Sequence, residues 1–333
     1  MSFNTEERLS YMSANVFPIK ILKNKLLLDS IRKHKKILPI HVQLNLTNAC
    51  NFNCEFCSCK NRDKTQMLSK QKLDFFIEVA PKLGCQSLTV TGGGEPLLFD
   101  QLNYLIRRMF VCNIDVGLVT NGVFIDKPET LDLLTWCRIS TSDELPIQLK
   151  GMVDVWLKNI ENTVKKYPYI DWAFSYVISA NPYYPLIKKL ISFANKNKFT
   201  HVRLVSDLEN LSAVEDMSRV EAKLKQMRVN DNLVIYQGRK QFTKGADICY
   251  ISLLKPVISA SGEIFPCCGV QYAMNDDTRD YDVRMKMGDL EDLPELIRKQ
   301  KFFSGENCKR CYYSEYNNLL HLLLTDVSHE RFV

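Results

Sequence analysis

The 333-residue sequence lacks the long hydrophobic segments that a membrane protein needs. It contains no run of about 18 apolar residues, so we expect no membrane span. The opening segment, MSFNTEERLSYM, has no basic region followed by an apolar one, which argues against a secretory signal peptide. Internal repeats and low-complexity tracts are also missing. These absences predict a globular, cytoplasmic protein, and structural disulfides are rare in that compartment.

A strong charge of one sign is absent as well, because the net charge is only +6. Part of it lies in KILKNKLLLDSIRKHKK, residues 20–36. Such a basic run can contact nucleic acid. The run has no interleaved aromatic residues on which bases could stack. We therefore interpret it as a surface helix with inward leucines and solvated lysines, and we do not expect a nucleic-acid partner.

Hydrophobic periodicity predicts strands that alternate with helices between residues 40 and 206. This alternation indicates βαβ units and a parallel sheet. Six units are too few to close an eight-stranded barrel, so the predicted fold is α/β, a partial (β/α)6 TIM-type barrel. The predicted strands are 40–47, 87–91, 114–119, 137–140, 172–178 and 201–206. The predicted helices are 68–83 with Ser69 as N-cap, 99–110, 128–135, 152–166 and 184–197.

The regular alternation ends after Asp207. A polar helix at about 212–228 and the short strand NLVIYQ lead into a region that contains five cysteines. We place a boundary near 238–245. The sequence then divides into an N-terminal helical extension (1–37), a partial barrel (38–240) and a small cysteine-rich C-terminal domain (241–333).

The segment CNFNCEFCSC carries Cys50, Cys54 and Cys57 in a C-x3-C-x2-C spacing. Zinc sites usually combine a C-x2-C pair with two further ligands. Three thiolates on one loop can instead hold three irons of a [4Fe–4S] cluster and leave the fourth iron open. The loop follows the first strand, at the barrel face where active sites are built. A zinc or disulfide site is the alternative, and Cys59 is interpreted as a nearby thiol that is not a ligand.

With Phe56 before its third cysteine, this motif resembles the cluster loop of radical S-adenosylmethionine (SAM) enzymes. The resemblance implies that the methionyl amine and carboxylate of SAM bind the open iron. It also implies that reduction of the cluster, by a donor such as flavodoxin or ferredoxin, cleaves SAM to a 5′-deoxyadenosyl radical. That radical would abstract a hydrogen atom from the substrate.

A second motif supports the resemblance. The segment TVTGGGEPLLF ends the second predicted strand and is similar to the GGE-P loop of the family, which holds the methionyl amino group. Glycine permits close backbone approach, and Glu95 would complement an ammonium. The residues that the resemblance assigns to this loop are Gly92, Gly93, Gly94, Glu95 and Pro96.

Weaker similarities follow at the ends of later strands. Asn121 lies in LVTNG, which resembles a TNG segment of the family, and Ser140 ends the fourth predicted strand. Asn181 and Arg203 lie at or near the ends of the fifth and sixth strands. Each of the four would face cofactor or substrate, and for each a structural role is an equal alternative.

The C-terminal region resembles an auxiliary-cluster domain. Cys249-x12-Gly262-x4-Cys267 is similar to the opening of the SPASM signature. Together with Cys308-x2-Cys311, the pattern Cys249-x17-Cys267 is similar to the twitch domain of enzymes of the 2-deoxy-scyllo-inosamine dehydrogenase type. Because no cysteine follows Cys311, the resemblance implies one auxiliary [4Fe–4S] cluster. A four-cysteine zinc site is the alternative, and Cys268 competes with Cys267 for the ligand position.

These similarities imply an oxidoreductase that acts on a small molecule, such as a sugar or aminocyclitol. A cluster with four thiolate ligands has no open iron, so it would accept an electron from the substrate radical. A cluster with three ligands would bind substrate, as in the GTP cyclase of molybdopterin synthesis, which the chain resembles less. The alternatives are a peptide-modifying maturase, an enzyme of RNA or nucleoside modification, and a non-catalytic metal-binding scaffold. With about 37 residues before the first strand, we expect neither a cobalamin-binding nor a leader-peptide-binding domain there.

Overall fold

One sheet organises the part of the chain that the computed structural model describes, residues 13–179, 181–207, 217–238, 243–274 and 279–328. Its first seven strands are parallel and lie side by side in chain order. They are β1 (His41–Asn45), β2 (Ser87–Thr91), β3 (Asp115–Thr120), β4 (Trp136–Ser142), β5 (Asp171–Ile178), β6 (His201–Ser206) and β7 (Val234–Gln237).

Three short strands extend the sheet on the other side of β1. β8 (Val257–Ile258) pairs parallel with β1. β9 (Glu263–Phe265) and β10 (Gly288–Asp289) follow in antiparallel pairs. Within the described residues, β7 and β10 form the two edges, so the sheet is open rather than a closed barrel. The cysteine-rich C-terminal region therefore continues the same sheet across β1.

Helices connect the parallel strands and bury one side of the sheet. The strands alternate, so that Cys137 and Ile139 of β4 are fully buried against the helices while Arg138 and Ser140 point to the other face. No described helix has the length and apolar character to cross a bilayer. The helices are α1 (Ser13–Lys23), α2 (Lys25–His34), α3 (Lys70–Lys82), α4 (Leu102–Val111), α5 (Leu145–Gln148), α6 (Val153–Lys166), α7 (Tyr184–Lys196), α8 (Ser218–Gln226), α9 (Ile251–Leu254), α10 (Leu293–Lys299) and α11 (Ser314–Leu324).

The sequence predicted the positions of most of these strands and helices. The predicted strands 87–91 and 201–206 have the bounds of β2 and β6. The Ser69 hydroxyl caps α3 by accepting a hydrogen bond from the Lys72 amide at 3.2 Å. The strand NLVIYQ forms β7 and pairs parallel with β6, which extends the consecutive parallel series from six strands to seven. Part of the predicted helix 212–228 lies outside the described residues, and its described part contains α8.

Two predicted helices are wrong in detail. Residues 128–135 form only one 3-10 turn, Leu131–Leu133, because β4 begins at Trp136 and Asn103 ties the segment down. The Asn103 Oδ1 atom accepts from the Thr130 hydroxyl at 2.8 Å and from the Glu129 amide at 3.1 Å. The basic run 20–36 contains two helices rather than one. The chain breaks at Asn24, whose side chain accepts from the Leu27 amide and caps α2.

Candidate functional site

The three cysteines after β1 lie on one loop, residues 47–62, which we call the cysteine loop. Cys50, Cys54 and Cys57 are partly accessible and unpaired, and Phe56 between them is also partly accessible. Burial raises the pKa of Cys54, and the nearby groups Glu144, Cys57 and Cys50 contribute to its total rise to about 12. The thiols of Cys50 and Cys57 are thus close enough to oppose the ionisation of Cys54. Bound iron would reverse that effect, because a metal favours the thiolate.

A buried arginine supports the third cysteine. Arg62 is only 7% exposed, and its Nη1 atom donates to the Cys57 Sγ atom at 3.3 Å. Its Nε atom donates to the Asn48 carbonyl at 3.1 Å, and Nη1 also donates to the Cys59 carbonyl. The guanidinium therefore joins the two ends of the cysteine loop and places one positive charge beside the thiols.

Cys59 faces away from this group. It is 5% exposed, and its sulfur accepts a hydrogen bond from the Gln271 Nε2 atom at 3.2 Å. Burial raises its pKa to about 12. Cys85 and Cys137 are also buried, in the hydrophobic core.

The glycine loop after β2 packs directly on the cysteine loop. A Cβ atom at Gly92, Gly93 or Gly94 would lie 2.0 Å or less from another atom. For Gly93 that atom is the Asn48 Oδ1 atom, and for Gly94 it is the Ala49 carbonyl oxygen. Only glycine permits this approach, so the two motifs that suggested one cofactor site are held together by backbone contact.

Glu95 is anchored by the end of the neighbouring strand. Its carboxylate is 2% exposed. Oε1 accepts from the Leu97 amide at 2.9 Å and from the Thr120 hydroxyl at 2.6 Å, and Oε2 accepts from the Asn121 amide at 2.7 Å. The first of these bonds caps the short turn that Pro96 opens. A carboxylate has about four acceptor positions, so one remains on Oε2.

Burial raises the pKa of Glu95, and these three hydrogen bonds oppose that rise. No ion pair with a cationic side chain is present among the described residues. An ammonium group at the remaining acceptor position would therefore stabilise the ionised form.

Asn121 connects the three loops. Its Nδ2 atom donates to the Asn51 Oδ1 atom of the cysteine loop at 2.7 Å, while its amide binds Glu95. Its carbonyl accepts from the Trp156 Nε1 atom at 3.0 Å. The ends of β1, β2 and β3 thus form one hydrogen-bonded group.

The remaining candidate residues are more dispersed. Ser140 lies on β4 two residues before its end, and its register partner on β5 is Ser175. Arg203 lies on β6 and donates to the Ser175 hydroxyl from Nη2 at 2.7 Å and from Nε at 3.2 Å. Asn181 is exposed beyond β5, and only its backbone is tied, to the Ser179 hydroxyl. The structure brings Ser140 and Arg203 into one row and leaves Asn181 apart from them.

The four C-terminal cysteines come from three separate segments. Gly262, at φ +82°, forms the turn between β8 and β9, and Cys267 follows β9 directly. Cys249 pairs by a β-bridge with Phe303, and Cys311 pairs in the same way with Thr243. These pairings bring the chain on either side of Cys308 alongside the segment that leads to α9.

One cavity is lined by Cys249, Cys267, Cys308 and Cys311. Burial raises the pKa of Cys249, and the nearby thiols of Cys311 and Cys308 contribute to its total rise to about 12. Cys268 does not line this cavity, and its sulfur lies 3.1 Å from the Tyr313 hydroxyl. Four thiols therefore line one cavity, whereas the fifth, Cys268, is not part of its lining.

The described donor sets are not arranged around a single ion. Among the described residues, no group of three or more Cys, His, Asp or Glu side chains is arranged around one point as a single metal ion requires. A tetrahedral zinc needs sulfurs at about 2.3 Å from a common centre. The thiolates of a four-iron cluster each bind a different iron, so they are spaced more widely.

Comparison with known proteins supports this interpretation of the N-terminal motifs. The family model described as Radical SAM superfamily matches residues 44–141. Residues 44–141 are therefore similar to this superfamily. This segment contains the cysteine loop, the glycine loop and Asn121, the residues that the geometry joins.

Curated relatives match a similar length of chain. The GTP 3′,8-cyclase of Aquifex aeolicus is 34% identical over 107 residues, which are 30% of this chain and 32% of that protein. The probable GTP 3′,8-cyclase of Sulfurisphaera tokodaii is 35% identical over 134 residues, 37% of this chain and 42% of that protein. The matches span about a third to two fifths of the length of these relatives.

Solved structures share the fold over most of the chain. Streptococcus suis SuiB bound to precursor peptide SuiA has a TM-score of 0.56 at 17% identity, and the match covers 91% of this chain and 78% of that one. Native anSMEcpe with bound AdoMet and Kp18Cys peptide has a TM-score of 0.57 at 14% identity, with 88% and 86% covered. At these identities the similarity establishes the fold alone.

Several residues of the site were not singled out from the sequence. Asp143 accepts from the Tyr176 hydroxyl and the Tyr183 amide, both at 2.6 Å, and orders the loop after β5. Glu144 accepts from the Glu55 amide and connects β4 to the cysteine loop. The position of Asp143 and Glu144 directly after the fourth strand is a signal that could have identified both residues.

Proposed function

We propose that the chain is a radical SAM oxidoreductase with one auxiliary [4Fe–4S] cluster. The observation that carries the proposal is the pair of thiol groups, three on an accessible loop and four around one cavity. The first group would hold the SAM cluster through Cys50, Cys54 and Cys57. The second would hold the auxiliary cluster through Cys249, Cys267, Cys308 and Cys311.

When bound, the first cluster and SAM supply a 5′-deoxyadenosyl radical that takes a hydrogen atom from the substrate. Glu95 would hold the methionyl ammonium at the free acceptor position of Oε2. The hydrogen bonds from Thr120 and Asn121 fix that carboxylate before the cofactor arrives, so little ordering is left for binding. Ser140 would contact the ribose or carboxylate of SAM. The open edges of the sheet leave its inner face available to substrate.

The second cluster, when bound, supplies an acceptor for the electron left on the substrate. Four thiolates leave no open iron, so this group of the chain would not ligate substrate. With the hydrogen atom passed to the 5′-deoxyadenosyl radical, the electron to this acceptor and one proton to solvent, the net reaction is a two-electron oxidation, such as alcohol to ketone. A small molecule is the first candidate substrate.

A peptide substrate is the second candidate. Two solved structures with this fold, SuiB and anSMEcpe, are described as bound to peptides. Asn181 on the exposed loop after β5 would face such a substrate. The GTP cyclases favour a different reaction, but their matches cover only about a third of this chain.

The decisive experiment compares the purified protein with the variant Cys308→Ala/Cys311→Ala under anaerobic conditions. We expect about 8 irons per wild-type chain, the sum of two four-iron clusters, and about 4 in the variant. Both proteins should form 5′-deoxyadenosine from SAM and reductant. Cys112→Ala, which removes a partly exposed thiol outside both groups, should behave as wild type.

Once the substrate is known, the ratio of oxidised product to 5′-deoxyadenosine should fall sharply in the double variant. A thermal melt and a SAM-binding measurement are needed as controls, because metal contributes folding energy. An unchanged ratio in a folded, SAM-binding variant would contradict the role of electron acceptor. Zinc in the C-terminal site, with total iron near 4, would contradict the second cluster altogether.

A further inference from the structure

Two arginines on the inner face of the sheet, Arg138 and the candidate residue Arg203, have no specific role in the reaction proposed above. In the register, Ser140 of β4 is opposite Ser175 of β5, and Ser175 is opposite Arg203 of β6. Arg138 precedes Ser140 by two residues, so its side chain leaves the same face of β4. The two guanidiniums therefore enter one space, on strands separated only by β5.

Neither guanidinium is neutralised within the described residues. Arg203 directs two of its nitrogens to a single neutral acceptor, the Ser175 hydroxyl. Arg138 lies over the Trp136 ring, with its Cζ atom 5.0 Å from the ring centre. No described carboxylate forms an ion pair with either residue. A guanidinium carries five donors and stays charged, so most of the donors of this pair are available to a ligand.

This arrangement costs stability in the absence of a ligand. Both side chains are only partly accessible, and burial and the like charge of Arg203 together lower the pKa of Arg138 to about 9. Burial lowers the pKa of Arg203 as well. Enclosed like charges without a counter-ion are unfavourable, and such groups concentrate at functional sites. An anion between them would remove the repulsion.

The pair also lies where a substrate would have to be. Arg203 is close to Tyr312 and Cys268, which belong to two of the three segments that carry the C-terminal thiols. The Tyr312 hydroxyl accepts from the Gln237 Nε2 atom of β7 at 3.0 Å, which joins that segment to the edge of the sheet. Ser140, in the same row as Arg203, lies near the strand ends that carry the radical SAM motifs.

We propose that Arg138 and Arg203 bind an anionic group of the substrate, a phosphate or a carboxylate. This inference rests on the proposed function, because it identifies the occupant of the inner face as the substrate of that reaction. Two forked guanidiniums match the oxygens of either anion. The same charges repel an ammonium, so the pair favours a phosphorylated or acidic substrate over an aminocyclitol.

The test uses the full chain, reconstituted with iron and sulfide, without reductant or turnover. Pyrophosphate and citrate are titrated calorimetrically, to separate a phosphate site from a carboxylate site. We expect one of them to bind, and Arg138→Gln or Arg203→Gln to weaken that binding at least tenfold. Arg298→Gln is the matched control, because Arg298 is exposed on α10 and paired with Glu295. Wild-type affinity in both site variants, or no binding of either anion to wild type, would overturn the proposal.

SAM affinity is measured in parallel, because SAM itself carries a carboxylate. We expect SAM and the anion to bind together, with SAM affinity unchanged within twofold in Arg138→Gln. Mutual competition, or a tenfold loss of SAM affinity in this variant, would assign the pair to the cofactor and overturn the proposal. Failure to form 5′-deoxyadenosine with intact anion binding would contradict the proposed function and leave the anion site standing.

Thermal melting separates a binding role from a structural one. If the role of the arginines is to bind a ligand, ligand-free Arg138→Gln should melt at the same temperature as wild type or a higher one. The reason is that the substitution removes one of two like charges. Bound anion should raise the melting temperature of wild type more than that of the variant. A lower melting temperature without ligand, together with an unchanged anion effect, would mean that Arg138 is structural. Arg203→Lys, which keeps the charge and loses the fork, serves if the Gln variants do not fold.

Discussion

The two groups of thiols are positioned by different kinds of structure. Cys50, Cys54 and Cys57 lie within eight residues of one loop and remain partly accessible. The four C-terminal thiols come from three segments that meet through contacts such as the turn at Gly262 and the bridges at Cys249 and Cys311. A local loop suits a cluster that must leave one iron open to a cofactor. A cavity assembled from distant segments suits a group that is closed to ligands.

The largest expected effect comes from removing the local group. Cys50→Ala/Cys54→Ala/Cys57→Ala should lose about half of the iron and all 5′-deoxyadenosine formation, since SAM would have no iron to bind. Its melting temperature should stay near that of wild type, because the loop is also held by backbone contacts of the glycine loop. Iron analysis, product assay and a thermal melt test these expectations. Residual 5′-deoxyadenosine above background would contradict the assignment of the loop.

Removing a ligand from the C-terminal group should lower the melting temperature more than it lowers SAM cleavage. In Cys267→Ser the C-terminal site loses a ligand, so we expect about half of the iron and a lower melting temperature, because this group links three segments. Cys268→Ser is the matched control, because the Cys268 thiol points to the Tyr313 hydroxyl and not to the cavity. Full iron content in Cys267→Ser and half the iron in Cys268→Ser would mean that Cys268, and not Cys267, is the ligand.

The contrast between the two groups also explains how much of the site could be predicted from sequence. The cysteine spacing and the glycine run are local, so both motifs were visible before any strand was paired. The partners of Glu95 come from the end of β3, and no local pattern reveals that the Thr120 hydroxyl and the Asn121 amide reach it. That contact depends on the parallel register of β2 and β3.

Arg138 was missed for a related reason. The fourth strand was predicted as 137–140, whereas β4 spans Trp136–Ser142. Ser140 was selected because it ended the predicted strand, although period-2 alternation placed Arg138 on the same face. The like charge opposite it, Arg203, lies two strands away and becomes a neighbour only when the sheet forms. The fold class was predictable because its signals are periodic, while the meeting of these charges depends on tertiary structure.

A smaller effect should separate the electrostatic role of Glu95 from its structural one. Glu95→Ala should weaken SAM binding by about 1–3 kcal/mol, since a charged hydrogen bond is lost. Glu95→Gln, which keeps an acceptor for the Leu97 amide, tests the charge alone and should also weaken binding. Glu161→Ala is the control, because Glu161 is a buried carboxylate of α6 paired with Lys158 and Lys165 of the same helix and with Lys196 of α7. Unchanged SAM affinity in both Glu95 variants would restrict Glu95 to anchoring the loops.

The smallest expected effect concerns the charge beside the local group. Arg62 donates to the Cys57 sulfur and places a guanidinium directly beside the local thiol group. Reduction adds negative charge to a cluster, and a hydrogen bond from a cation stabilises that charge, so Arg62 should raise the reduction potential. A charged hydrogen bond contributes about 1.5 kcal/mol, which for one electron corresponds to roughly 60 mV.

Arg62→Gln should therefore lower the potential of the SAM cluster by an amount on the order of 60 mV, with iron content and the second potential unchanged. A redox titration monitored by electron paramagnetic resonance measures both potentials in one sample. Arg62→Lys restores charge without the fork that joins the loop ends, so it should recover part of the shift. If Arg62→Gln shifts both potentials equally, the arginine acts through the overall fold. If iron is lost from the first group instead, its main role is to hold the cysteine loop closed.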